Sequence, residues 1–421
     1  MTNFRLFAGS AIALASAPLF AAASVNGFSP QRLSEIDKVI SSDAFEGRGP
    51  ATRAEPKVIN YIAQQFQAAG VQPGGEIVNG QRTWFQSVPL LESEIVGTPS
   101  LSLNESGTIV PLRQGDDMAV LAPLNGAKQV DINNAPLVFV GYGVTAPERN
   151  WDNFKGVDVR GKIIVVLVND PDFEGGEGDF GGKAMTYYGR WTYKFEEAAR
   201  RGALGVIIVH ETAPASYGWG VVQNSNTIPQ FDIVRDNPAA AHSSFESWIQ
   251  RPLAVQLFQR SGLDFEQAKA AAKRRDFRPI PLKAALSAHY AANTSVVTSH
   301  NVAGILAGKK YPDETIIYTA HWDHLGIGKP DARGDRIYNG AIDNGTGIAE
   351  LIEQARVFAH GPRPDRSIVF LAVTGEEKGL LGSQYYAAHP LYALGKLPLY
   401  GRLLRKRQLD WVRTQRDNKS P

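Results

Sequence analysis

The segment 301–389 alternates apolar runs of strand length with helix-like stretches, and this pattern constrains the fold more than any other feature of the chain. The runs 315–320 and 367–374 are almost continuously apolar, while 347–360 and 380–389 have helical spacing of apolar residues. Strands of this kind alternating with helices predict a mostly parallel sheet covered on both faces, which is an α/β fold. Ligands in such sheets bind at the carboxyl ends of the strands.

The preceding part of the chain is predicted to form two further units. Residues 29–75 have helical periodicity, and short strands are expected over 83–110. From about residue 134, apolar runs that include 163–168 and 204–209 flank a helical stretch at 191–200. Strand, helix and strand in this order predict a smaller mixed α/β module.

Composition excludes several classes of protein. The 421 residues contain no cysteine, so disulfides, thiolate zinc sites and cysteine nucleophiles are excluded. An apolar content of 43% with 20% charged residues is typical of a globular chain. The net charge of +2 conceals a basic segment, 395–421, which carries eight Lys or Arg and two Asp and leaves about −4 for the rest. We therefore predict no binding to nucleic acid.

The first residues resemble an export signal. Arg5 precedes an uncharged apolar run at 6–20, and Ala21 to Ala23 supply the small residues that a signal peptidase requires. We predict a signal peptide over 1–23, cleavage after Ala23, and a periplasmic or extracellular protein with no membrane attachment. An uncleaved anchor is the alternative, but the run is shorter than the roughly 20 residues that span a bilayer.

Candidate metal ligands follow the predicted strands. His321 and Asp323 lie at the end of one apolar run, Glu376 and Glu377 follow the other, and Asp343 precedes the helix at 347–360. Because the carboxyl ends of parallel strands meet at one edge of a sheet, these side chains are expected to converge. An imidazole together with carboxylates is a ligand set suited to zinc.

The spacing also predicts a task for each residue. His321 can bind a metal through one ring nitrogen, while Asp323, two residues further on, can accept the other N–H. Asp343 has two oxygens and can bridge two cations. Of Glu376 and Glu377, one can bind metal and the other can take a proton from a metal-activated water.

Three segments carry a resemblance to a known family. Residues 318–326, 339–347 and 374–383 resemble the co-catalytic di-zinc exopeptidases of metallopeptidase family twenty-eight, which include bacterial leucyl aminopeptidases and relatives of glutamate carboxypeptidase. Residues 134–211 are similar to the protease-associated (PA) domain inserted in many of these enzymes, and 43–50 are similar to their leading segment.

The resemblance implies a secreted zinc-dependent exopeptidase of the aminopeptidase type that acts on peptides. It implies that His321 binds one zinc, that Asp343 bridges two zinc ions and that Glu377 binds the other. Glu376 would then be the general base, and Asp323 would orient His321. The implied fold is the zinc-exopeptidase fold, with its central sheet interrupted by the PA domain.

The same resemblance implies the domain boundaries. The peptidase domain would comprise 24–117 and the metal-site part 285–392, with a PA domain over 118–284 and an atypical basic tail over 393–421. It also implies a cis peptide bond between Asp343 and Asn344.

The chain departs from the family after His389. The family uses two later ligands, an Asp and a His, but no histidine follows His389 and the remaining acids are Asp410 and Asp417. We hypothesise that the C-terminus is truncated or altered, which predicts weak or single zinc occupancy and impaired turnover. A divergent native tail is the alternative.

Two other functions are compatible with these residues. A catalytically inert relative could bind peptides or proteins through its PA domain, and a single-zinc enzyme of the glutaminyl cyclase type would use a similar cluster. The acidic loop 170–179 could hold calcium, although a solvated loop is favoured because the spacing of a known calcium loop is absent. His210 and Glu211 lack the second histidine of a zinc-protease helix.

Overall fold

The computed structural model describes residues 27–392, apart from residues 106 and 332. The predicted signal peptide at 1–23 and the basic tail at 393–421 lie outside these residues. Within the described part of the chain, none of the helices is both long enough and apolar enough to cross a membrane.

The described chain begins and ends with helices, and further helices lie between the strands. The α-helices are α1 (Pro30–Ile40), α2 (Glu55–Ala68), α3 (Trp191–Arg200), α4 (Thr212–Ala215), α5 (Trp219–Asn226), α6 (Arg251–Arg260), α7 (Phe265–Ala272), α8 (Thr346–His360) and α9 (Leu381–Ala388). Shorter helical turns are Asp43–Arg48, Pro147–Arg149, Tyr187–Gly189, Pro238–Ala240 and the π-turn Ala341–Gly345.

Most strands are short, but two are long. The strands are β1 (Gln72–Pro73), β2 (Ile77–Val78), β3 (Gln81–Arg82), β4 (Phe85–Glu105), β5 (Thr108–Leu112), β6 (Met118–Val120), β7 (Gln129–Phe139), β8 (Thr145–Ala146), β9 (Trp151–Asp152), β10 (Ile163–Leu167), β11 (Gly205–His210), β12 (Gln230–Ile233), β13 (Phe245–Gln250), β14 (Ile280–Leu306), β15 (Tyr311–His321), β16 (Gly326–Ile327), β17 (Ile337–Tyr338) and β18 (Arg366–Val373).

One mixed sheet contains most of these strands and confirms the predicted α/β class, but the sheet is not mostly parallel as predicted, because the long strand β14 pairs antiparallel with its neighbours. Its main path is β12-β4-β14-β7-β10-β11-β13-β6, and β18 joins β14 to β15. The pairs β15–β18, β7–β10, β10–β11 and β11–β13 are parallel, whereas β14 is antiparallel to β4, β7 and β18.

The two long strands, β4 and β14, connect two halves of the molecule. The second half is the part between β6 and α7, and the first half comprises the elements before β4 and after β14. β4 and β14 pair antiparallel along nearly their whole length, from Phe85 opposite Val302 to Asn104 opposite Ala285. The short strands expected over 83–110 are therefore largely one strand. The chain leaves the first half along β4 and returns along β14, and cross-strand pairing over this length prevails over the local turn signals of Pro and Gly.

Helices α1, α2 and α8 cover one face of the sheet beside β14, β18 and β15. The apolar stripe of α8, which includes Ile348 and Ile352, packs in one core with Phe66 of α2 and with Phe370 of β18. Trp322, directly after β15, is fully buried in the same core. This packing fixes the carboxyl ends of β15 and β18 relative to the start of α8.

The second half, between β6 and α7, has its own cores on the two faces of the parallel strands β7, β10, β11 and β13. Phe139 and Phe258 belong to the core on one face, and Val166 and Trp248 to the core on the other. Helix α3 and strand β11 occupy the places that the sequence predicts. The assignment of 118–284 to a PA domain stays a prediction.

Candidate metal centre

The candidate site is assembled by the register of two parallel strands. His321, the last residue of β15, is opposite Val373, the last residue of β18. Glu376 and Glu377 come directly after β18, so they lie at the same edge of the sheet as His321. Asp343 lies in the π-turn that leads into α8. The structure thus brings together residues that are far apart in the chain.

Three of the predicted residues form a compact cluster. One ligand atom from each of His321, Asp343 and Glu377 lies within 4.8 Å of the others. The Nε2 atom of His321 is 3.1 Å from Oδ1 of Asp343. The imidazole is largely buried, whereas the Asp343 side chain is 66% exposed, so the cluster is accessible to solvent on the side of Asp343.

Asp323 occupies a position that differs in detail from its predicted one. The Nδ1 atom of His321 is 3.1 Å from the backbone carbonyl oxygen of Asp323, while the carboxylate Oδ1 is 3.7 Å away. The buried carboxylate of Asp323 instead accepts the backbone N–H groups of Glu376 and Glu377, at 3.1 and 3.3 Å. Asp323 therefore fixes the turn after β18 as well as the ring of His321.

Glu376 lies beside the cluster without being part of it. Its Oε2 atom is 3.8 Å from Nε2 of His321, and its Oε1 atom is 3.7 Å from Nη2 of Arg190. Burial raises the pKa of Glu376, and the positive imidazole of His321 lowers it in part. A carboxyl group whose pKa is raised is suited to accept and return a proton near neutral pH.

The charge of the site favours a bound cation. Burial lowers the pKa of His321, but the neighbouring carboxylates of Asp323, Glu376 and Glu377 raise it more, to about 9. The same negative groups stabilise any cation that replaces the proton on the imidazole. Zinc fits this donor set because an imidazole nitrogen and carboxylate oxygens are among its usual ligands.

Arg48 supports the site and has no counterpart in the sequence prediction. Its fully buried guanidinium donates to the carbonyl oxygens of Trp322, Ile40, Asn339 and Gly340, at 2.6 to 3.0 Å. These bonds join the 3-10 turn after α1 to the end of β15 and to the loop before Asp343. The resemblance of the segment 43–50 to the leading segment of the family was the available signal, but the partners of Arg48 are too distant in the chain to be inferred.

His324 contacts the cluster and was not singled out from the sequence. Its Nδ1 atom is 2.7 Å from Oε1 of Glu377, one of the three cluster residues. It lies in the segment 318–326 that carries the family resemblance, so its position in the sequence was a usable signal.

The loop before α8 has the predicted backbone. The peptide bond between Asp343 and Asn344 is cis, as the resemblance implies. The side-chain Oδ1 of Asn344 accepts the backbone N–H of Gly347 at 3.0 Å, at the start of α8.

The second half of the molecule reaches the rim of the site. Besides Arg190, which precedes α3, Asn224 of α5 donates from Nδ2 to the hydroxyl oxygen of Tyr338 at 2.6 Å. The Nζ of Lys378 is 3.4 Å from the carbonyl oxygen of Ser225. Residues between β6 and α7 therefore contact Glu376 and its neighbour Lys378, and also Tyr338 of β17.

The other candidate sites contribute no cluster. In the loop 170–179, the carboxylates of Asp170 and Asp172 accept backbone N–H groups of the loop and its neighbours, which favours the alternative of a structural loop over a calcium site. His210 contacts the carbonyl oxygen of Tyr217. In the part of the chain that the structure describes, one group of three or more potential metal ligands is present. Asp410 and Asp417 lie outside that part.

A histidine and acidic residues at the carboxyl edge of an α/β sheet are a ligand set that can hold zinc. Residues 301–398 match the model of Peptidase family M28. A probable zinc metalloprotease of Pyrenophora tritici-repentis (strain Pt-1C-BFP) is 38% identical over 98 residues, which are 23% of this chain and 22% of that protein. Aminopeptidase YwaD of Bacillus subtilis (strain 168) is 39% identical over 93 residues, which are 22% of this chain and 18% of that protein.

Among solved structures, the aminopeptidase from Aneurinibacillus sp. strain AM-1 is similar, with a TM-score of 0.45 and 20% identity over 87% of this chain and 67% of that chain. The chain matches about a fifth of the length of its curated relatives. Residues 301–398 are thus similar to peptidase family M28, and the two relatives are a probable zinc metalloprotease and an aminopeptidase.

Proposed function

We propose that this protein is an exported, zinc-dependent exopeptidase that removes N-terminal residues from peptides. The observation that carries the proposal is the convergence of His321, Asp343 and Glu377 within 4.8 Å, with the carboxyl group of Glu376 beside them. The names of the relatives, which include an aminopeptidase, support the same reaction.

The residues present fit the chemistry of peptide hydrolysis. His321, Asp343 and Glu377 would hold zinc, which supplies a Lewis acid that activates water and polarises the scissile carbonyl. Glu376 takes the proton of the attacking water and returns it to the leaving amine. Asp323 holds the backbone of both glutamates and faces the imidazole of His321, so that the acceptor and the ligands keep their relative positions.

The number of ions is part of the proposal. Three clustered residues can hold one ion well, and Asp343 has a second oxygen for a neighbouring ion. We propose that a first zinc binds to the cluster and that a second ion, which the family resemblance implies, binds more weakly.

Metal analysis combined with a hydrolysis assay tests this function. We expect the purified protein to contain zinc, because the donor set of the cluster selects it, and to hydrolyse aminoacyl p-nitroanilides slowly, in line with the impaired turnover that the sequence predicts. A chelator should reduce hydrolysis to background, and added zinc should restore it. Protein that binds peptide without zinc would favour an inert binding relative, and cyclisation of N-terminal glutamine would favour a glutaminyl cyclase. Either outcome would contradict the proposal.

Export is proposed from the sequence features around Arg5 and the apolar run at 6–20. When the chain is expressed with a secretory pathway, we expect a mature protein that begins at Ser24, because signal peptidase requires the small residues at 21–23. Intact mass and N-terminal sequencing of the exported protein provide the measurement. A mature protein that retains residues 1–23 would contradict cleavage.

A further inference from the structure

His324 has a well-defined position next to the metal cluster. Its backbone N–H donates to the carbonyl oxygen of Arg48 at 3.1 Å. Its ring lies against Gly340, where an added Cβ would be 2.3 Å from the ring carbon Cδ2. Gly340 also has a φ of +58°, which disfavours most other residues. The backbone of His324 is therefore held by Arg48, and its imidazole packs against the backbone of Gly340.

The ring faces one oxygen of Glu377. The distance from Nδ1 of His324 to Oε1 of Glu377 is 2.7 Å, and both side chains are less than a fifth exposed. A carboxylate has two oxygens with about four acceptor positions, so a single N–H donor leaves most of them available for a cation. The contact can therefore persist while Glu377 binds metal.

Glu377 has a second point of attachment at its backbone. Its N–H donates to Oδ2 of Asp323, as described above. The bond to Asp323 fixes the Cα of Glu377, and the bond to His324 fixes the far end of the same side chain. Without the imidazole, the flexible side chain of Glu377 would have several rotamers available to it, and binding a cation would require it to lose that freedom.

We propose that His324 is a positioning residue, which donates its Nδ1–H to Glu377 and so holds this carboxylate toward His321 and Asp343. The inference rests on the proposed function, because it assumes that the cluster binds zinc. Hydrogen bonds to metal ligands from neighbouring side chains typically change metal affinity by about 10- to 100-fold.

Three substitutions separate this role from other possibilities. In His324→Asn the side-chain amide nitrogen lies near the position of Nδ1, whereas in His324→Gln it reaches further, toward the position of Nε2. His324→Ala removes the donor. Zinc affinity is measured by competition with a chromophoric chelator, and the absorption spectrum of the cobalt-substituted protein reports the geometry at the ion.

We expect His324→Ala and His324→Gln to bind zinc about 10- to 100-fold more weakly than the wild type. His324→Asn should stay within about threefold and keep the wild-type cobalt spectrum, because asparagine restores the donor but is a poor zinc ligand. If the asparagine variant loses as much affinity as the alanine variant, or if all three keep wild-type affinity, the positioning role is wrong.

His289 provides a matched control. Its Nδ1 is also 2.7 Å from a carboxylate, that of Asp131. It lies on β14 roughly 40 Å of strand length from Val302, at about 3.3 Å per residue. His289→Ala should leave zinc affinity unchanged, and thermal unfolding of chelator-treated proteins shows which variants are folded. If His324→Ala does not fold, the comparison of asparagine with glutamine decides.

The two proposals fail in different ways. A wild-type protein that binds no zinc contradicts the proposed function and this inference together. A wild-type protein that binds zinc, with unchanged affinity in His324→Ala, contradicts only the role of His324.

Discussion

Glu376→Gln is expected to lower kcat/KM for aminoacyl p-nitroanilides by about 10²- to 10⁴-fold, the usual range for loss of a general base. The amide of glutamine is nearly isosteric with the carboxyl group but does not accept a proton at neutral pH. Because Glu376 lies beside the cluster formed by His321, Asp343 and Glu377, zinc content should remain at the wild-type level. Steady-state kinetics and metal analysis of the same preparation provide the measurement.

A matched control is available on the exposed side of α8. Glu350 is exposed and accepts a hydrogen bond from Gln354 of the same helix, so Glu350→Gln should leave both kinetics and zinc content unchanged. Near-normal turnover in Glu376→Gln would show that another group accepts the proton. Loss of zinc in the same variant would place Glu376 among the ligands instead.

The convergence of the site was predictable because it depends on simple geometry. The apolar runs of β15 and β18 are recognisable without any tertiary information, and parallel strands necessarily bring their carboxyl ends to one edge. The residues that follow these strands were therefore identified as neighbours from the sequence. The helical spacing of Ile348, Leu351 and Ile352 likewise predicted α8, whose start places Asp343 at the same edge.

The support of the site was much harder to predict, because it depends on contacts between distant parts of the chain. The guanidinium of Arg48 binds carbonyl oxygens of Asn339 and Gly340, which follow it by almost 300 residues. Backbone carbonyls carry no residue-specific signal, so no pattern of side chains indicates these partners. The long strand β4 is a similar case, since its continuity depends on pairing with β14, which begins almost 200 residues further along the chain.

Asp323 lies next to His321 as predicted, but it also has a second role that the sequence did not indicate. A spacing of two residues in an extended chain correctly placed Asp323 next to His321. Its carboxylate, however, is closer to the N–H groups of Glu376 and Glu377 than to the imidazole. The sharp turn after β18 exposes these donors, and a buried carboxylate is most stable where N–H groups surround it. Asp323 thus connects the end of β15 to the end of β18.

The largest effect on stability is expected for Arg48→Met. Methionine approximates the length of the buried arginine but removes the donor to the carbonyl oxygens of Trp322, Ile40 and Asn339, whereas that of Gly340 still accepts the backbone N–H of Gly345 at 3.0 Å. An unsatisfied buried polar group costs about 1–3 kcal/mol, and partial hydration of the more open carbonyls reduces the sum. We expect a loss of about 3–5 kcal/mol in the free energy of unfolding, measured by denaturant titration of the chelator-treated protein.

The same substitution should weaken zinc binding, because Arg48 joins the end of β15, which carries His321, to the loop that carries Asp343. Arg53→Met is the matched control, since this nearby guanidinium is 81% exposed and forms an ion pair with Glu46. It should change neither unfolding nor zinc affinity. Equal unfolding free energies for Arg48→Met and Arg53→Met would show that water replaces the buried guanidinium at no cost, which would contradict a supporting role for Arg48 at the metal centre.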